Sequence, residues 1–174
     1  CVTIEHSYSG DLDIFIISPN GQVAQLFEQA GAGTYFGGAN DDGGTTPGTG
    51  ETYCFSMSAS VLLANAPTVT NGSPASDSWA PGTYLPYQSF SNLLGSPLNG
   101  VWTIEIIDNL AIDNGYIFEW WLEFDPNLQP PEYSFTPEIV SQSWDTDPTI
   151  ISESGTDIVV QPNSEGTHCY TYRV

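Results

Sequence analysis

The stretch that decides the fold runs from residue 6 to residue 21 and reads His6-Ser-Tyr-Ser-Gly-Asp-Leu-Asp-Ile-Phe-Ile-Ile-Ser-Pro-Asn-Gly21. Residues 12–17 are rich in Ile and Phe, which favour strands, and Pro19-Asn-Gly21 predicts a tight turn. Residues 22–28 are predicted to pair with this strand across the turn as a β-hairpin. Residues 2–8 and 52–58 have the same character, so the chain is predicted to be all-β.

A second stretch, Gly100-Val-Trp-Thr-Ile-Glu-Ile-Ile-Asp-Asn109 followed by Asp113-Asn-Gly-Tyr-Ile-Phe-Glu-Trp-Trp-Leu122, predicts a closing hairpin. Its strands are expected over 102–107 and 116–124, with Trp102, Trp120 and Phe124 in the core. Residues 59–65 and 88–94 predict short helical turns, and the Pro- and Gly-rich run 66–87 predicts a surface excursion. Short strands with regular turns are typical of a jelly-roll β-sandwich.

Both stretches resemble the two ends of the proprotein-convertase P-domain, a jelly roll related in shape to galactose-binding domains. The opening motif consists of Gly10, Asp11, Leu12, Ile14, Ile16, Ser18, Pro19 and Gly21. The closing motif consists of Gly100, Trp102, Ile104, Ile106, Asp108, Asp113, Gly115, Ile117, Trp120 and Leu122. The resemblance covers residues 1–126 and implies a P-domain-like jelly roll over that range.

Three further runs, Ile4-Glu-His-Ser-Tyr8, Tyr53-Cys-Phe-Ser56 and Pro81-Gly-Thr-Tyr84, are similar to P-domain-like modules in large secreted proteins of gliding Bacteroidetes. This resemblance implies type IX secretion and an extracellular or cell-surface location, with a role in adhesion or gliding motility. The implied partners are other β-modules of the same polypeptide, together with surface glycans or cell-surface proteins. Ser18 departs from the pattern, because close relatives often carry Cys there.

A change in composition follows the predicted jelly roll. The Pro-rich residues 127–133 predict a linker, since paired prolines cannot continue a central strand. Residues 134–174 resemble the first strands of an immunoglobulin-like or PKD-like β-sandwich repeat, but they are too few to close one. Both ends of the chain fall inside strand patterns, so we expect a fragment of a larger polypeptide.

The charge of the chain limits its partners. It carries 21 acidic residues against one basic residue, for a formal net charge of -20. Binding to nucleic acid requires many Lys or Arg contacts with phosphate, and we therefore expect none. We also expect no direct membrane insertion, because no apolar run is long enough to cross a bilayer. Cations are the partners that this charge favours.

The chain has three cysteines, Cys1, Cys54 and Cys169, without the spacing of a zinc or redox motif. In an exported protein Cys1 and Cys54 can bridge within the first module, which would leave Cys169 for a partner elsewhere. The sequence does not fix this connectivity.

Carboxylates near the two motifs are candidate ligands for Ca²⁺, which takes six to eight oxygen ligands. Asp11 and Asp13 are expected on one face of a strand, while Asp108, Asp113 and Asn114 bracket the predicted closing hairpin. The resemblance implies a calcium-stabilised module in which these clusters converge. The alternative is that Asp11 only starts a strand and that Asp113-Asn-Gly115 only forms a turn. A second candidate site is Asn40-Asp41-Asp42, in the Gly-rich loop 31–50.

We expect no catalysis from this chain. His6 and His168 fall in different predicted domains, and there is no nucleophile motif. His6 is expected to face the core. Trp79, Tyr84 and Trp121 are candidates for stacking on a sugar, with the alternative that such aromatic residues only hold a loop in place.

The leading hypothesis is therefore a non-catalytic structural or adhesive module with bound calcium. One alternative is the accessory P-domain of a secreted subtilisin-like protease, and another is a carbohydrate-binding module. The polypeptide that flanks this chain would separate the first two, because a catalytic domain before it favours a protease and further repeats after it favour an adhesin.

Overall fold

The computed structural model describes residues 1–110, 112–128 and 138–174. They form two compact units, Cys1–Phe124 (unit 1) and Asp125–Val174 (unit 2). Within these described ranges the regular elements are β-strands and four short 3₁₀ turns, without an α-helix. Accordingly, none of the described segments is a helix that could span a bilayer. The prediction of an all-β chain is confirmed.

The described residues of unit 1 form nine strands. They are β1 (Val2–His6), β2 (Leu12–Ile17), β3 (Val23–Glu28), β4 (Glu51–Phe55), β5 (Thr68–Asn71), β6 (Ser76–Trp79), β7 (Gly82–Tyr84), β8 (Thr103–Asp108) and β9 (Gly115–Trp120). One sheet has the order β7-β4-β1-β9 and a second has the order β3-β2-β8, while β5 and β6 pair separately. The short 3₁₀ turns of this unit are Ser9–Asp11, Leu63–Asn65 and Phe90–Leu93. This arrangement confirms a β-sandwich.

The opening hairpin forms as predicted, with β2 antiparallel to β3. In its turn the backbone N–H of Ser18 donates to the carbonyl of Gln22 at 2.9 Å, and that of Gly21 donates to Ser18 at 2.9 Å. Gly21 has φ +84°, a left-handed conformation that glycine adopts without steric cost. The turn therefore explains why the sequence has Gly at this position.

The core lies between the two larger sheets. Alternate residues of β1 and β2 face it and are almost fully buried, namely Val2, Ile4, Leu12, Ile14 and Ile16. The ring of Phe36 makes edge-to-face contacts with Phe27 and Tyr53, at centroid distances of 5.1 and 5.0 Å. Burial raises the pKa of the Tyr53 phenol to about 12. Its hydroxyl donates to the carbonyl of Trp79 at 2.8 Å, so this buried polar group is satisfied.

The predicted closing hairpin is wrong. Strand β8 pairs with β2 in one sheet, whereas β9 pairs with β1 in the other. The connection between them therefore crosses one end of the sandwich. Period-two alternation identifies both strands but not their partners, since either pairing buries the same faces. Trp102 and Trp120 pack partly buried against the core, and Trp102 meets Phe124 at 5.5 Å between ring centroids.

The predicted surface excursion over residues 66–87 is also wrong, because it contributes three strands. Strand β7 is parallel to β4 and forms the edge of the larger sheet. Trp79, at the end of β6, is 5% exposed, and its indole Nε1–H donates to Ser9 Oγ at 3.0 Å. Burial of Trp79 from β6 and of Tyr84 from β7 outweighs the polar, Pro-rich composition around them.

Gly31 lies against the Trp79 ring, and we expect substitution of this glycine to destabilise unit 1. Gly31 has φ +83°, and a Cβ there would lie 2.3 Å from Trp79 Cζ2. Gly21 has φ +84°, and a Cβ there would meet no described heavy atom within 4 Å beyond its chain neighbours. We expect Gly21→Ala to cost about 1 kcal/mol for the backbone conformation alone. Gly31→Ala should cost about 1–3 kcal/mol more, because it overpacks the core. Urea unfolding of both variants measures the difference, and equal losses would contradict the packing argument.

A disulfide joins Cys1 to Cys54, which confirms that pairing, and Cys169 is an exposed free thiol among the described residues. The bond ties the start of the chain to β4, whose Tyr53 is paired with Val2 of β1. It therefore fastens two neighbouring strands of the larger sheet.

In unit 2, residues 125–128 and 138–174 are described, and they contain two pairs of antiparallel strands. Strands β10 (Ser143–Trp144) and β13 (Tyr172–Arg173) form one pair, and β11 (Ile150–Ser154) and β12 (Asp157–Val160) form the other. Trp144 packs on Tyr172 with ring centroids 5.0 Å apart. The similarity of residues 134–174 to an immunoglobulin-like or PKD-like repeat stays a prediction. Most of the predicted linker 127–133 lies outside the described residues, as does the segment 134–137.

Candidate metal centre

The candidate site lies at the end of the sandwich where β1 ends and β2 begins. Between these strands, Ser9–Asp11 forms a 3₁₀ turn. Gly10 allows the turn to approach the Gly-rich loop, because a Cβ there would lie 2.7 Å from Ala32 Cα. The turn directs the side chain of Asp11 inward, where this residue is only 2% exposed. Neither carboxylate oxygen of Asp11 has a hydrogen-bond partner among the described residues.

Two other side chains meet Asp11 from neighbouring strands. His6 is the last residue of β1, and Asp108 is the last residue of β8, opposite Leu12. One ligand atom from each of His6, Asp11 and Asp108 lies within 4.8 Å of the others. His6 Nε2 is 3.6 Å from Asp108 Oδ2. Because β1 and β8 belong to different sheets, the cluster depends on the complete sandwich.

The loop after β8 is fixed to this turn through Asn109. Its backbone N–H and its side-chain Nδ2 both donate to the carbonyl of Asp11, at 3.0 and 2.8 Å. Asp108 Oδ1 accepts from the backbone N–H of Leu110 at 3.1 Å. These bonds place Asp108 beside Asp11 and orient one of its oxygens toward the cluster.

The electrostatics of the cluster disfavour a second ionised carboxylate. Burial raises the pKa of Asp11, and the negative charge of Asp108 raises it further. His6 opposes the shift, while Asp113 adds to it. The backbone N–H of Asp11 itself also opposes the shift. A carboxylate that is buried, repelled and without a donor from another residue is destabilising when ionised. A bound cation would offset both the burial of the Asp11 charge and its repulsion by Asp108.

Asp13 does not belong to this cluster. It lies on β2 between the buried Leu12 and Ile14, and therefore on the outer face of the sheet. Its carboxylate accepts three amide hydrogen bonds of 2.9 Å each, from Gln25, Gln29 and Asn109. The prediction that Asp11 and Asp13 share one strand face is wrong, because the 3₁₀ turn at Asp11 interrupts the alternation.

Asp113 and Asn114 lie in the connection between β8 and β9, near the cluster but not among its three closest side chains. The charge of Asp113 acts on the pKa of Asp11 and on that of Tyr35. The carbonyl of Asn114 accepts from the backbone N–H of Ser7 at 3.3 Å. Its Nδ2 donates to the carbonyl of Gly44 at 2.8 Å, which joins this connection to the Gly-rich loop.

The side chains of the second candidate site, Asn40-Asp41-Asp42, are engaged in hydrogen bonds within or next to the Gly-rich loop. Asp42 accepts from the backbone N–H of Gly44 at 2.7 Å and from Asn40 Nδ2 at 3.2 Å. Asp41 Oδ2 is 3.5 Å from the Tyr35 hydroxyl. Both aspartates are exposed, and neither joins the three-residue cluster found among the described residues. Their hydrogen bonds support a turn in this loop.

The three aromatic candidates for sugar stacking have different surroundings. Trp79 and Tyr84 are only 5% and 7% exposed, and Tyr84 donates to the carbonyl of Ala80 at 2.6 Å. Buried rings cannot stack on a ligand, so the prediction is wrong for both. Trp121 is 36% exposed, and its indole donates to Glu123 Oε1 at 3.0 Å.

His6 and Glu5 are the two residues of this end whose roles the sequence did not indicate. His6 was expected in the core, and it is buried, but at the strand end where it meets two carboxylates. Glu5 is 1% exposed beneath the Gly-rich loop, and one of its oxygens is 3.4 Å from the backbone N of Gly48. Burial raises the pKa of Glu5. His6 precedes Gly10-Asp11 by only a few residues, and this proximity could have indicated that it joins the cluster. The burial of Glu5 could not be predicted in this way, because it depends on the conformation of the long Gly-rich loop.

The comparisons with known proteins support the opening motif. The model of the proprotein convertase P-domain family matches residues 1–46, which include His6 and Asp11. The match ends before β8 and β9, so similarity to the family at the closing motif stays a prediction. Comparisons with curated proteins and with solved structures each give no significant match. The likeness to the P-domain indicates a non-catalytic accessory or structural β-domain.

Proposed function

We propose that this chain is a calcium-stabilised structural module of a large secreted bacterial protein, displayed at the cell surface and serving adhesion or gliding motility. The observation that carries the proposal is the Asp11 carboxylate, which is 2% exposed and has no hydrogen-bond partner among the described residues. Most buried polar groups in proteins are hydrogen-bonded, and an ion is one of the partners that can satisfy a group that the polypeptide leaves unpaired. Asp108 and the charge of Asp113 make a cation the fitting complement.

The donor set fits calcium. Carboxylate oxygens are hard ligands, and Asp11 offers both of its oxygens while Asp108 offers one. Calcium accepts an irregular shell that includes water and backbone carbonyls, whereas magnesium requires near-octahedral geometry. When bound, the ion would supply the positive charge that holds the carboxylate of Asp11, in the 3₁₀ turn, next to the carboxylate of Asp108, at the end of β8. Asp11 and Asp108 are the residues proposed to hold it.

Two further features support an extracellular location. The Cys1–Cys54 disulfide is typical of oxidising compartments, where such bonds persist. The net charge of -20 suits a surface that meets millimolar cations. The proposed partners are the other β-modules of the same polypeptide and, through exposed residues such as Trp121, surface glycans or cell-surface proteins.

The match of residues 1–46 to the P-domain favours one alternative, an accessory domain of a secreted subtilisin-like protease. The structural role of calcium would be the same in that setting. The polypeptide flanking this chain distinguishes the two, since the alternative requires a catalytic domain before it. The carbohydrate-binding alternative loses support, because Trp79 and Tyr84 are buried.

The test is calorimetric melting of the full chain in chelator, in millimolar calcium and in millimolar magnesium. We expect calcium to raise the melting temperature of unit 1 by roughly 10 °C at about a hundred times Kd, corresponding to about 2.7 kcal/mol. Magnesium should act more weakly. Identical melts in chelator and calcium would contradict the proposal.

Asp13→Asn is the matched control for this test. It should lower the stability in every buffer, because Asp13 accepts three amide hydrogen bonds, but it should leave the calcium-dependent rise intact. Loss of the calcium response in this variant would show that the ion is bound at the outer face of β2 instead.

A further inference from the structure

The His6 imidazole has both ring nitrogens in defined surroundings. Its Nδ1 accepts a hydrogen bond from the backbone N–H of Tyr8 at 3.1 Å. Its Nε2 lies 3.6 Å from Asp108 Oδ2 and has no hydrogen-bond partner among the described residues. One of the two ring nitrogens lies within 4.8 Å of an Asp11 oxygen. The residue is 4% exposed, so water cannot readily replace either neighbour.

The Tyr8 hydrogen bond fixes which nitrogen carries the proton. A nitrogen that accepts a hydrogen bond must present its lone pair, and a neutral imidazole has one N–H. The proton is therefore on Nε2, which faces Asp108. Ligation of a metal by Nε2 would require the lone pair there and the proton on Nδ1. That tautomer would set the Nδ1–H of His6 against the N–H of Tyr8 and leave two buried donors facing each other.

We propose that His6 is a positioning residue whose Nε2–H faces the Asp108 carboxylate at 3.6 Å, beyond hydrogen-bond distance, and that it does not ligate the ion. This inference rests on the proposed cation site and determines its selectivity. A set of one His and two Asp would suit zinc if the imidazole were free to ligate. With His6 retained as a donor, the site offers oxygen ligands only and selects hard cations such as calcium over zinc.

Long-range ¹H–¹⁵N correlation NMR of the full, ¹⁵N-labelled chain in chelator tests the tautomer directly. The chain has two histidines, so a His168→Gln variant assigns the His6 signals. We expect an unprotonated Nδ1 and a protonated Nε2, unchanged when calcium is added. A protonated Nδ1 with a free Nε2 would overturn the inference whether or not calcium binds.

Selectivity is tested by melting a His168→Gln, Cys169→Ser chain, which removes the other imidazole and the free thiol, in equal concentrations of calcium and zinc. Calcium should stabilise unit 1 more than zinc does. His6→Gln, which keeps an amide N–H donor but no imidazole, should retain most of the calcium response. A larger rise in zinc that His6→Gln abolishes would overturn the inference while leaving a cation site in place. A chain that calcium does not stabilise would instead overturn the proposed function.

Discussion

Asp11→Asn is expected to make the protein more stable in chelator and less stable than the unsubstituted protein in millimolar calcium. In chelator at pH 7 the variant loses a buried, unpaired charge and its repulsion with Asp108, which should raise the free energy of unfolding by about 1–3 kcal/mol. In calcium it loses the ligand that offers two oxygens, and with it about 2.7 kcal/mol of stabilisation at about a hundred times Kd. Urea unfolding in both buffers measures this reversal.

The pH dependence of stability, compared between the unsubstituted protein and Asp11→Asn, gives an independent check. Because the pKa of Asp11 is raised in the folded protein, the folded state holds its proton to higher pH than the unfolded state. In chelator, stability from this group is therefore greatest below the ordinary Asp range and falls as pH rises through the folded pKa. Asp11→Asn should lack this component. A variant destabilised equally in chelator and calcium, at every pH, would identify Asp11 as a structural residue only.

The second large effect is expected from the Cys1–Cys54 disulfide. Its two residues are separated by 53 positions, and closing a loop of that size restricts the unfolded chain by about 4 kcal/mol in the chain-entropy treatment. The Cys1→Ser, Cys54→Ser double variant should lose most of this amount, as measured by urea unfolding of the full chain.

Cys169→Ser is the control for the disulfide, because Cys169 is an exposed free thiol among the described residues of unit 2. Its stability should stay within about 0.5 kcal/mol of the unsubstituted protein. A double variant as stable as this control would mean that the disulfide does not stabilise unit 1. The same experiment identifies which urea-unfolding transition belongs to unit 1, since only that transition should shift.

Local sequence signals predicted the local elements well. The Pro19-Asn-Gly21 turn and the segments on either side of it predicted the β2–β3 hairpin, and the bounds of both strands lie within one residue of the expected positions. The all-β class followed from the same kind of signal. The partner of β8 could not be predicted in this way, because a strand with one apolar face satisfies its pattern equally well beside β9 or beside β2.

The site was predicted in part, and the errors have physical causes. The sequence predicts both Asp11 and Asp108 as ligands, but it also groups Asp13 with Asp11, because the spacing of these two residues implies a continuous strand. The three-residue 3₁₀ turn Ser9–Asp11 interrupts the strand, so Asp11 faces inward while Asp13 lies on the outer face of β2. Trp79 was assigned to the surface from its Pro-rich neighbours, whereas a buried hydrogen bond to Ser9 holds it in the core. Such contacts depend on tertiary structure that composition does not record.

The measurement that tests the cation site most directly is a crystal structure of the protein grown in calcium chloride, with an anomalous difference map. A peak between Asp11 and Asp108, with carboxylate oxygens at about 2.3–2.6 Å, is the predicted result. His6 should lie outside that coordination shell, with Nδ1 still accepting from Tyr8. A map without a peak beside Asp11, or with calcium bound only at Asp41 and Asp42, would contradict the account.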